Sequence, residues 1–105
     1  MKKLLILVAI IVISCQQEKI KRVNKSSYHS RIFQSELDQY GYDIYHDSTL
    51  IIHQPIIPSI EGNKGFSDRT DAKKVADLII FKLENNISPP AVNPKELDSL
   101  GVKLP

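Results

Sequence analysis

The 105-residue sequence has a single cysteine, Cys15, no tryptophan and no long apolar run. With no second cysteine, a disulfide within the chain is excluded. The longest apolar run, Leu4 to Ile13, has ten residues; as a helix it would span about 15 Å, half of the roughly 30 Å hydrocarbon core of a bilayer. The sequence therefore predicts no permanent transmembrane helix.

Two common nucleotide-binding and catalytic motifs are also missing. The stretch "EGNKG", residues 61–65, resembles a phosphate loop in composition, but that loop needs G-x-x-x-x-G-K-[ST], and here Lys64 precedes Gly65 and Phe66 follows it. No serine stands in a G-x-S-x-G motif. We interpret Gly62 and Gly65 as turn residues that allow positive φ and bring Phe66 to the start of a helix as an apolar anchor. We predict no nucleotide site and no catalytic residue.

The histidines do not predict a metal site. If residues 47–48 form a hairpin turn, His46 pairs with the start of the next strand and His53 lies about 13 Å further along it, at about 3.3 Å per residue. Two nitrogens that share one ion must each lie about 2.1 Å from it, so this pair is too far apart. His29 lies near the N-terminal segment and has no predicted partner. Asp43 would face His53 in a slipped hairpin register, but no nucleophile accompanies the pair.

The first fourteen residues have the layout of a secretory signal peptide, in which Lys2 and Lys3 precede the apolar run and Ser14 precedes Cys15. The stretch "VISC", residues 12–15, resembles a bacterial lipobox, whose cysteine is acylated and becomes the new N-terminus. Each acyl methylene buried in the bilayer contributes about 0.8 kcal/mol to the free energy of membrane binding, and a single acyl chain binds reversibly. A Cys15 that carries several acyl chains is therefore a stable anchor. We expect a palmitate-bearing lipoprotein that is attached to a membrane without crossing it.

Charge is distributed unevenly along the rest of the chain. Residues 16–31 contain five Lys or Arg and one Glu, whereas residues 32–105 contain seven Lys or Arg and eleven Asp or Glu. Residues 15–29 are predicted to comprise the lipidated Cys15 and a flexible basic tether. The tether is predicted because the residues after Cys15 are mostly polar and have no periodic apolar pattern. In one alternative its Lys and Arg side chains bind an anionic lipid surface, and each contributes up to about 1 kcal/mol of binding free energy. In the other alternative the segment is only a solvated spacer. Neither alternative involves nucleic acid.

Residues 30–105 predict a single small α+β domain. Stretches rich in Ile, Phe and Tyr at 31–37, 40–46 and 50–54 predict the strands of a two- or three-stranded antiparallel meander, because the connections between them are too short for a parallel crossover. A helix that covers this sheet is predicted from about residue 69 to 85.

Capping residues and apolar spacing define the helices. Asp68 is the predicted N-cap of the long helix, and Asp71 would complete an approximate capping box. Six apolar residues at helical spacing predict its buried face: Ala72, Val75, Ala76, Ile79, Ile80 and Leu83. The stretch "NPKELDSLG", residues 93–101, predicts a short C-terminal helix that turns Leu97 and Leu100 inward.

The connection from residue 54 to 66 is the candidate interaction site. Its prolines remove backbone donors and fix φ, which prevents strand pairing and reduces the entropy lost when the loop becomes ordered. Long ordered loops are often functional. The candidate partner-binding residues are Gln54, Pro55, Pro58, Asn63 and Lys64. Alternatively, the loop's isoleucines only cap the core.

Tyrosines in the second predicted strand offer a different candidate surface. Tyr40, Tyr42 and Tyr45 are expected to pack at the edge of the core, or alternatively to form a platform for a carbohydrate or peptide.

Five motifs in order carry a family resemblance. They are a G-Y-x-I strand, a Q-P-x-I-P segment, a G-x-K-G-F turn, a D-A-x-x-V-A-x-L helix and an E-L-x-x-L-G-[VI] tail. Over residues 32–103 this pattern resembles the domain-of-unknown-function family 4907 of Bacteroidota lipoproteins. The resemblance implies an envelope lipoprotein and brings no activity, cofactor or catalytic residue with it.

These observations favour a membrane-anchored, non-enzymatic module that binds an envelope protein through residues 54–66 or an exposed sheet face. The alternative is a periplasmic or surface accessory protein that binds a small ligand or glycan through the tyrosine strand. Because "QQEK" after Cys15 has one acidic residue, we expect the domain on the periplasmic side of the outer membrane rather than exported to the cell surface.

Overall fold

Three consecutive segments rich in β-branched and aromatic residues form an antiparallel sheet. In the computed structural model, which describes residues 27–105, the strands are β1 (Tyr28–Glu36), β2 (Gln39–His46) and β3 (Thr49–Gln54), in the order β1-β2-β3. Each tight turn between them has an aspartate at positive φ, 58° for Asp38 and 56° for Asp47. Aspartate tolerates this left-handed conformation better than most residues. The predicted meander is confirmed, with three strands.

The sheet begins earlier than the sequence predicted. Tyr28 and His29 already belong to β1 and pair with His46 and Tyr45 of β2. The folded domain therefore includes the end of the segment that the sequence assigned to the tether, residues 15–29. The predicted signal peptide, Cys15 and the remainder of that tether lie outside the described residues.

Both hairpins contain a bulge. The β1–β2 register shifts between Gln34 and Glu36, which leaves Ser35 as the extra residue. The β2–β3 register shifts between Ile44 and Tyr45, and Ile51 is the extra residue there. A bulge moves every later pair by one position. As a result Asp43 faces His53, as expected for a slipped hairpin register.

Helix α1 (Arg69–Glu84) covers one face of the sheet. Asp68 is its N-cap, and its carboxylate accepts a hydrogen bond from the backbone N–H of Asp71 at 2.8 Å. Of the six residues predicted to face the core, four are buried and two are half-buried against the core: Ala72, Val75, Ala76 and Ile79, then Ile80 and Leu83. The predicted helix and its buried face are confirmed.

Helix α2 (Pro94–Ser99) follows a capping box, in which Asn93 and Glu96 exchange side chain–backbone hydrogen bonds of 2.8 and 3.1 Å. Leu97 is fully buried, as predicted. The Lys82 ammonium lies 2.8 Å from the Glu96 carboxylate and ties α2 to α1. This hydrogen bond, together with the Asn93 N–H, lowers the pKa of Glu96.

The core lies between the inner face of the sheet and the helices. Its buried apolar residues are Tyr42, Ile44, Ile57, Phe66, Ala72, Val75, Ala76, Ile79, Val92, Leu97 and Val102. They come from the sheet, both helices, the loop after β3 and the C-terminal tail, so one core joins all these segments. The predicted α+β class is confirmed. Within residues 27–105, no helix combines the length and apolar character needed to cross a membrane.

Candidate functional site

The loop between β3 and α1 is closed by its own backbone. The N–H of Ile57 donates to the carbonyl of Lys64 at 2.9 Å, which brings the two ends of the segment 57–64 together. The side-chain amide of Gln54 donates to the carbonyl of Ile56 at 2.8 Å. Gln54 therefore supports the loop from inside, although the sequence placed it among the partner-binding residues.

The end of the loop is fixed to the sheet. Phe66 forms an isolated bridge with Tyr40, with backbone hydrogen bonds of 2.9 and 2.8 Å. The N–H of Gly65 donates to the side chain of Gln39 at 2.8 Å. The Phe66 ring is fully buried and lies 6.2 Å from the ring of Tyr42. The predicted role of Phe66 as an apolar anchor is confirmed.

The two loop glycines have different roles. Gly62 has φ of 106°, as the turn interpretation requires. Gly65 does not have positive φ; instead, a Cβ added there would lie 2.8 Å from the Tyr40 carbonyl and 2.9 Å from the hydroxyl of Ser35. Gly65 therefore allows the loop to approach the sheet closely, and the prediction that it supplies positive φ is wrong.

The proline-containing part of the loop is anchored as well. The hydroxyl of Ser59 donates to the carbonyl of Val92, which joins the loop to the segment before α2. Ile57 is buried in the core, while Pro55 and Pro58 are half-buried. These contacts tie the loop to the core and to the segment before α2.

Two of the predicted partner-binding residues, Asn63 and Lys64, are exposed at the tip of this fixed loop. Lys64 forms no ion pair with any residue of 27–105. Beside it is a surface cleft of about 240 Å³, which we call the loop–tail cleft; it is lined in part by Asp38, Gln39, Ile57, Lys64, Lys103 and Leu104. The cleft combines apolar side chains with two lysines and one aspartate.

A buried aspartate holds the C-terminal wall of this cleft. The Asp71 carboxylate, whose residue is only 3% exposed, accepts a hydrogen bond from the backbone N–H of Lys103 at 2.9 Å and lies 3.8 Å from the ammonium of Lys74. The Lys103 ammonium lies 3.5 Å from the N-cap carboxylate of Asp68. The hydrogen bond from the Asp71 N–H lowers the pKa of Asp68, and the nearby Lys103 lowers this pKa further.

Asp71 does not complete the capping box that the sequence predicted. Its carboxylate binds the tail instead of the backbone N–H of Asp68. The sequence contains one sign of this contact, because the acidic Asp71 stands next to Ala72 at an otherwise buried position of the helix. Its partner, Lys103, is too distant in the chain to be identified by spacing.

The three tyrosines of β2 do not form one platform. Tyr42 is 2% exposed and faces the core, where burial raises its phenol pKa well above the ordinary value. Tyr40 is half-buried, with the Arg69 guanidinium 5.1 Å from its ring centre. Tyr45 stacks on His29 at 5.1 Å. Since residues 42 and 45 are an odd number of positions apart in a strand, their side chains lie on opposite faces. The expected core packing is confirmed for Tyr42, and the shared tyrosine face is wrong.

Aromatic stacking instead occurs on the face of the sheet that points away from α1. The rings of Phe33 and His53 stack with centres 5.0 Å apart, across the position of Gly41. The Nδ1 of His53 and the Asp43 carboxylate form a hydrogen bond of 2.5 Å. This carboxylate orients the imidazole. Within the described residues, no three His, Cys, Asp or Glu side chains are grouped so that they could hold a metal ion.

The chain matches a protein-family model. The model described as a domain of unknown function (DUF4907) matches residues 31–99, which is more than half of the chain and includes most of β1, all of β2 and β3, and both helices. No curated protein and no solved structure is significantly similar to this sequence. The chain belongs to the DUF4907 family of domains of unknown function.

Proposed function

We propose that this chain is an envelope lipoprotein, anchored through acylated Cys15, whose folded domain is a non-enzymatic protein-interaction module on the periplasmic side of the outer membrane. The anchor is supported by the sequence "VISC" directly after an apolar run that is too short to span a bilayer. Several acyl chains on one cysteine hold a small domain at the membrane without a transmembrane helix.

The interaction role rests on one observation, the backbone hydrogen bond between Ile57 and Lys64. It closes a loop whose base is fixed to the sheet and whose tip exposes Asn63 and Lys64. A loop that is ordered before binding loses less conformational entropy when a partner associates, so more of the contact free energy contributes to affinity. The tip is therefore suited to recognition.

The chemistry of the cleft indicates what a partner would present. Ile57 and Leu104 provide apolar contact, and Lys64 places positive charge at the edge of the cleft. Lys103 also lines the cleft but pairs with Asp68, and Asp38 adds one negative charge. Lys64 has no acidic partner within residues 27–105. A partner segment with an apolar side chain next to an Asp or Glu would satisfy both features.

A site-specific cross-linking experiment tests this role in cells. A photoreactive amino acid at Asn63 should cross-link one defined envelope protein, and the same amino acid at Lys95, an exposed residue of α2, should not. Asn63→Ala with Lys64→Ala should abolish recovery of that protein while the denaturation midpoint stays unchanged, since neither side chain is buried. Equal cross-linking from both positions, or unchanged recovery by the double variant, contradicts the proposal.

A second candidate function, glycan binding, is favoured by the aromatic stacks on the outer sheet face. The rings of Phe33 and His53, and those of His29 and Tyr45, provide flat surfaces of the kind on which sugar rings pack. Titration with cell-wall glycan fragments, followed by tyrosine fluorescence and compared with Tyr45→Ala, tests this candidate. A saturable change that the variant lacks supports it, and the absence of any change rejects it.

A further inference from the structure

The chain enters the folded domain at one end of the sheet. The carbonyl of Ser27 accepts a hydrogen bond from the backbone N–H of Asp47 at 2.7 Å, and Tyr28 pairs with His46. Ser27, the first of the described residues, is thus fixed beside the β2–β3 turn. We call this region, residues 27–29 and 45–51, the hairpin end.

The hairpin end exposes two adjacent aliphatic residues. Leu50 is 48% exposed and Ile51 is 42% exposed. In a regular strand that packs on a core, one of two successive residues would point inward. Because Ile51 is the extra residue of the bulge, both can remain at the surface. The bulge therefore creates a small apolar patch beside the point where the chain enters.

Aromatic rings lie on both faces of the hairpin end, and Leu50 pairs directly with Tyr45. Tyr28 stacks on His46 with ring centres 4.5 Å apart, and His29 stacks on Tyr45 at 5.1 Å. Rings with an apolar body and a polar edge concentrate at the boundary between lipid headgroups and acyl chains. The hairpin end thus combines aliphatic and aromatic groups that suit a bilayer interface.

The preceding segment joins the domain at this end and carries positive charge. Ser27 follows Cys15 by twelve residues (27 − 15), a length that reaches at most about 43 Å when fully extended. Residues 16–26 contain four Lys or Arg and one Glu, and residues 45–51 contain one acidic residue, Asp47. The local balance is positive and attracts an anionic lipid surface, and tethering makes even weak surface contact effective.

We propose that the hairpin end rests on the surface of the bilayer that holds the acylated Cys15, with Leu50 and Ile51 inserted among the lipid headgroups. This inference rests on the proposed lipid anchor. It also sets the orientation of the domain. The loop–tail cleft includes Gln39, at the other end of β2 from His46, about 24 Å away at about 3.4 Å per residue. The cleft then faces away from the membrane toward its partner.

Two thiol-reactive positions at opposite ends of the sheet test this orientation. Leu50→Cys places a label on the hairpin end, and Leu37→Cys, in the β1–β2 turn, is the matched control because Leu37 is 84% exposed. An environment-sensitive fluorophore is attached to each variant of the full acylated chain, which is then reconstituted into vesicles of phosphatidylethanolamine and phosphatidylglycerol. Aqueous iodide and lipid-borne nitroxide are the quenchers, and Ile51→Cys provides a second position on the patch.

The inference predicts that iodide quenches the label at position 50 several-fold less than the label at position 37, and that nitroxide lipid shows the reverse order. Equal quenching of both labels on vesicles that carry the protein overturns the inference and leaves the anchor standing. If the label at position 50 is protected from iodide only at a high protein-to-lipid ratio, a second copy of the chain covers the patch. That result also overturns the inference. If the chain does not float with the vesicles, the proposed anchor fails as well.

Discussion

Replacing Asp71 by Ala should destabilise the domain and also open the loop–tail cleft. Asp71 is a buried charge in the first turn of α1, and its carboxylate binds the backbone of the C-terminal tail at Lys103. Without this acceptor, the tail loses the contact that places Leu104 at the cleft. The same substitution therefore affects both stability and the proposed partner surface.

The size of the effect follows from the contacts that are lost. A hydrogen bond to a charged group contributes about 1.5–3 kcal/mol, and an acidic residue at a helix N-terminus contributes about 0.3–1 kcal/mol. The sum, about 2–4 kcal/mol, is a large share of the 5–15 kcal/mol that is typical of a folded domain. Asp71→Asn keeps an oxygen for the Lys103 N–H but replaces a charged hydrogen bond by a neutral one and loses the charge at the helix N-terminus, so its cost should be about 1–2.5 kcal/mol.

Chemical denaturation followed by circular dichroism measures these differences. Lys73→Ala is the matched control, because Lys73 pairs with Asp77 on the exposed side of the same helix, and such pairs contribute less than about 0.5 kcal/mol. The expected order of destabilisation is Asp71→Ala, then Asp71→Asn, then Lys73→Ala. If Asp71→Ala costs no more than Lys73→Ala, the buried carboxylate does not hold the tail and this explanation is wrong.

Two further predictions concern the core and acid stability. Ile79→Ala should cost about 2–5 kcal/mol, since it deletes buried methyl groups between helix and sheet; a midpoint like that of Lys73→Ala would show that the assigned helix face is incorrect. Lys82 lowers the pKa of Glu96 in the folded protein. Ionised Glu96 therefore stabilises the fold fully at pH values above its unfolded pKa of about 4.3. This stabilisation is lost as the pH falls through the lower pKa of the folded protein. Glu96→Gln should therefore reduce the difference between stability at neutral and acidic pH. An unchanged pH profile of the midpoint would exclude this role.

Local patterns in the sequence were sufficient to predict most of the fold. The helical spacing of apolar residues identified the buried face of α1, and Asp68 and Asn93 marked the starts of both helices, because caps and periodicity act within a few residues. The antiparallel meander followed from the short connections. Its first strand was placed too late, since Tyr28 and His29 lie in a polar segment and gain their strand conformation by pairing with β2.

The features that the sequence could not predict depend on distant contacts. Asp71 meets Lys103 across 32 positions, and Gly65 is required by its approach to Tyr40 on a neighbouring strand. The two bulges shift the register by amounts that composition does not indicate. For the same reason the sequence placed Gln54 among the binding residues, whereas its side chain stabilises the loop from within. Asn63 and Lys64 are exposed, and their role as contact residues stays a prediction.

The lipid anchor is the central claim, because the proposed location, orientation and partner all depend on it. Metabolic labelling with radioactive palmitate, followed by membrane fractionation, tests it directly in cells that express either the wild type or Cys15→Ala. If Cys15 is acylated, the membrane-bound wild-type protein carries the label, and the Cys15→Ala variant is unlabelled and is retained as precursor or released. Wild-type protein that carries no label, or a Cys15→Ala variant that is labelled and anchored like the wild type, would contradict it.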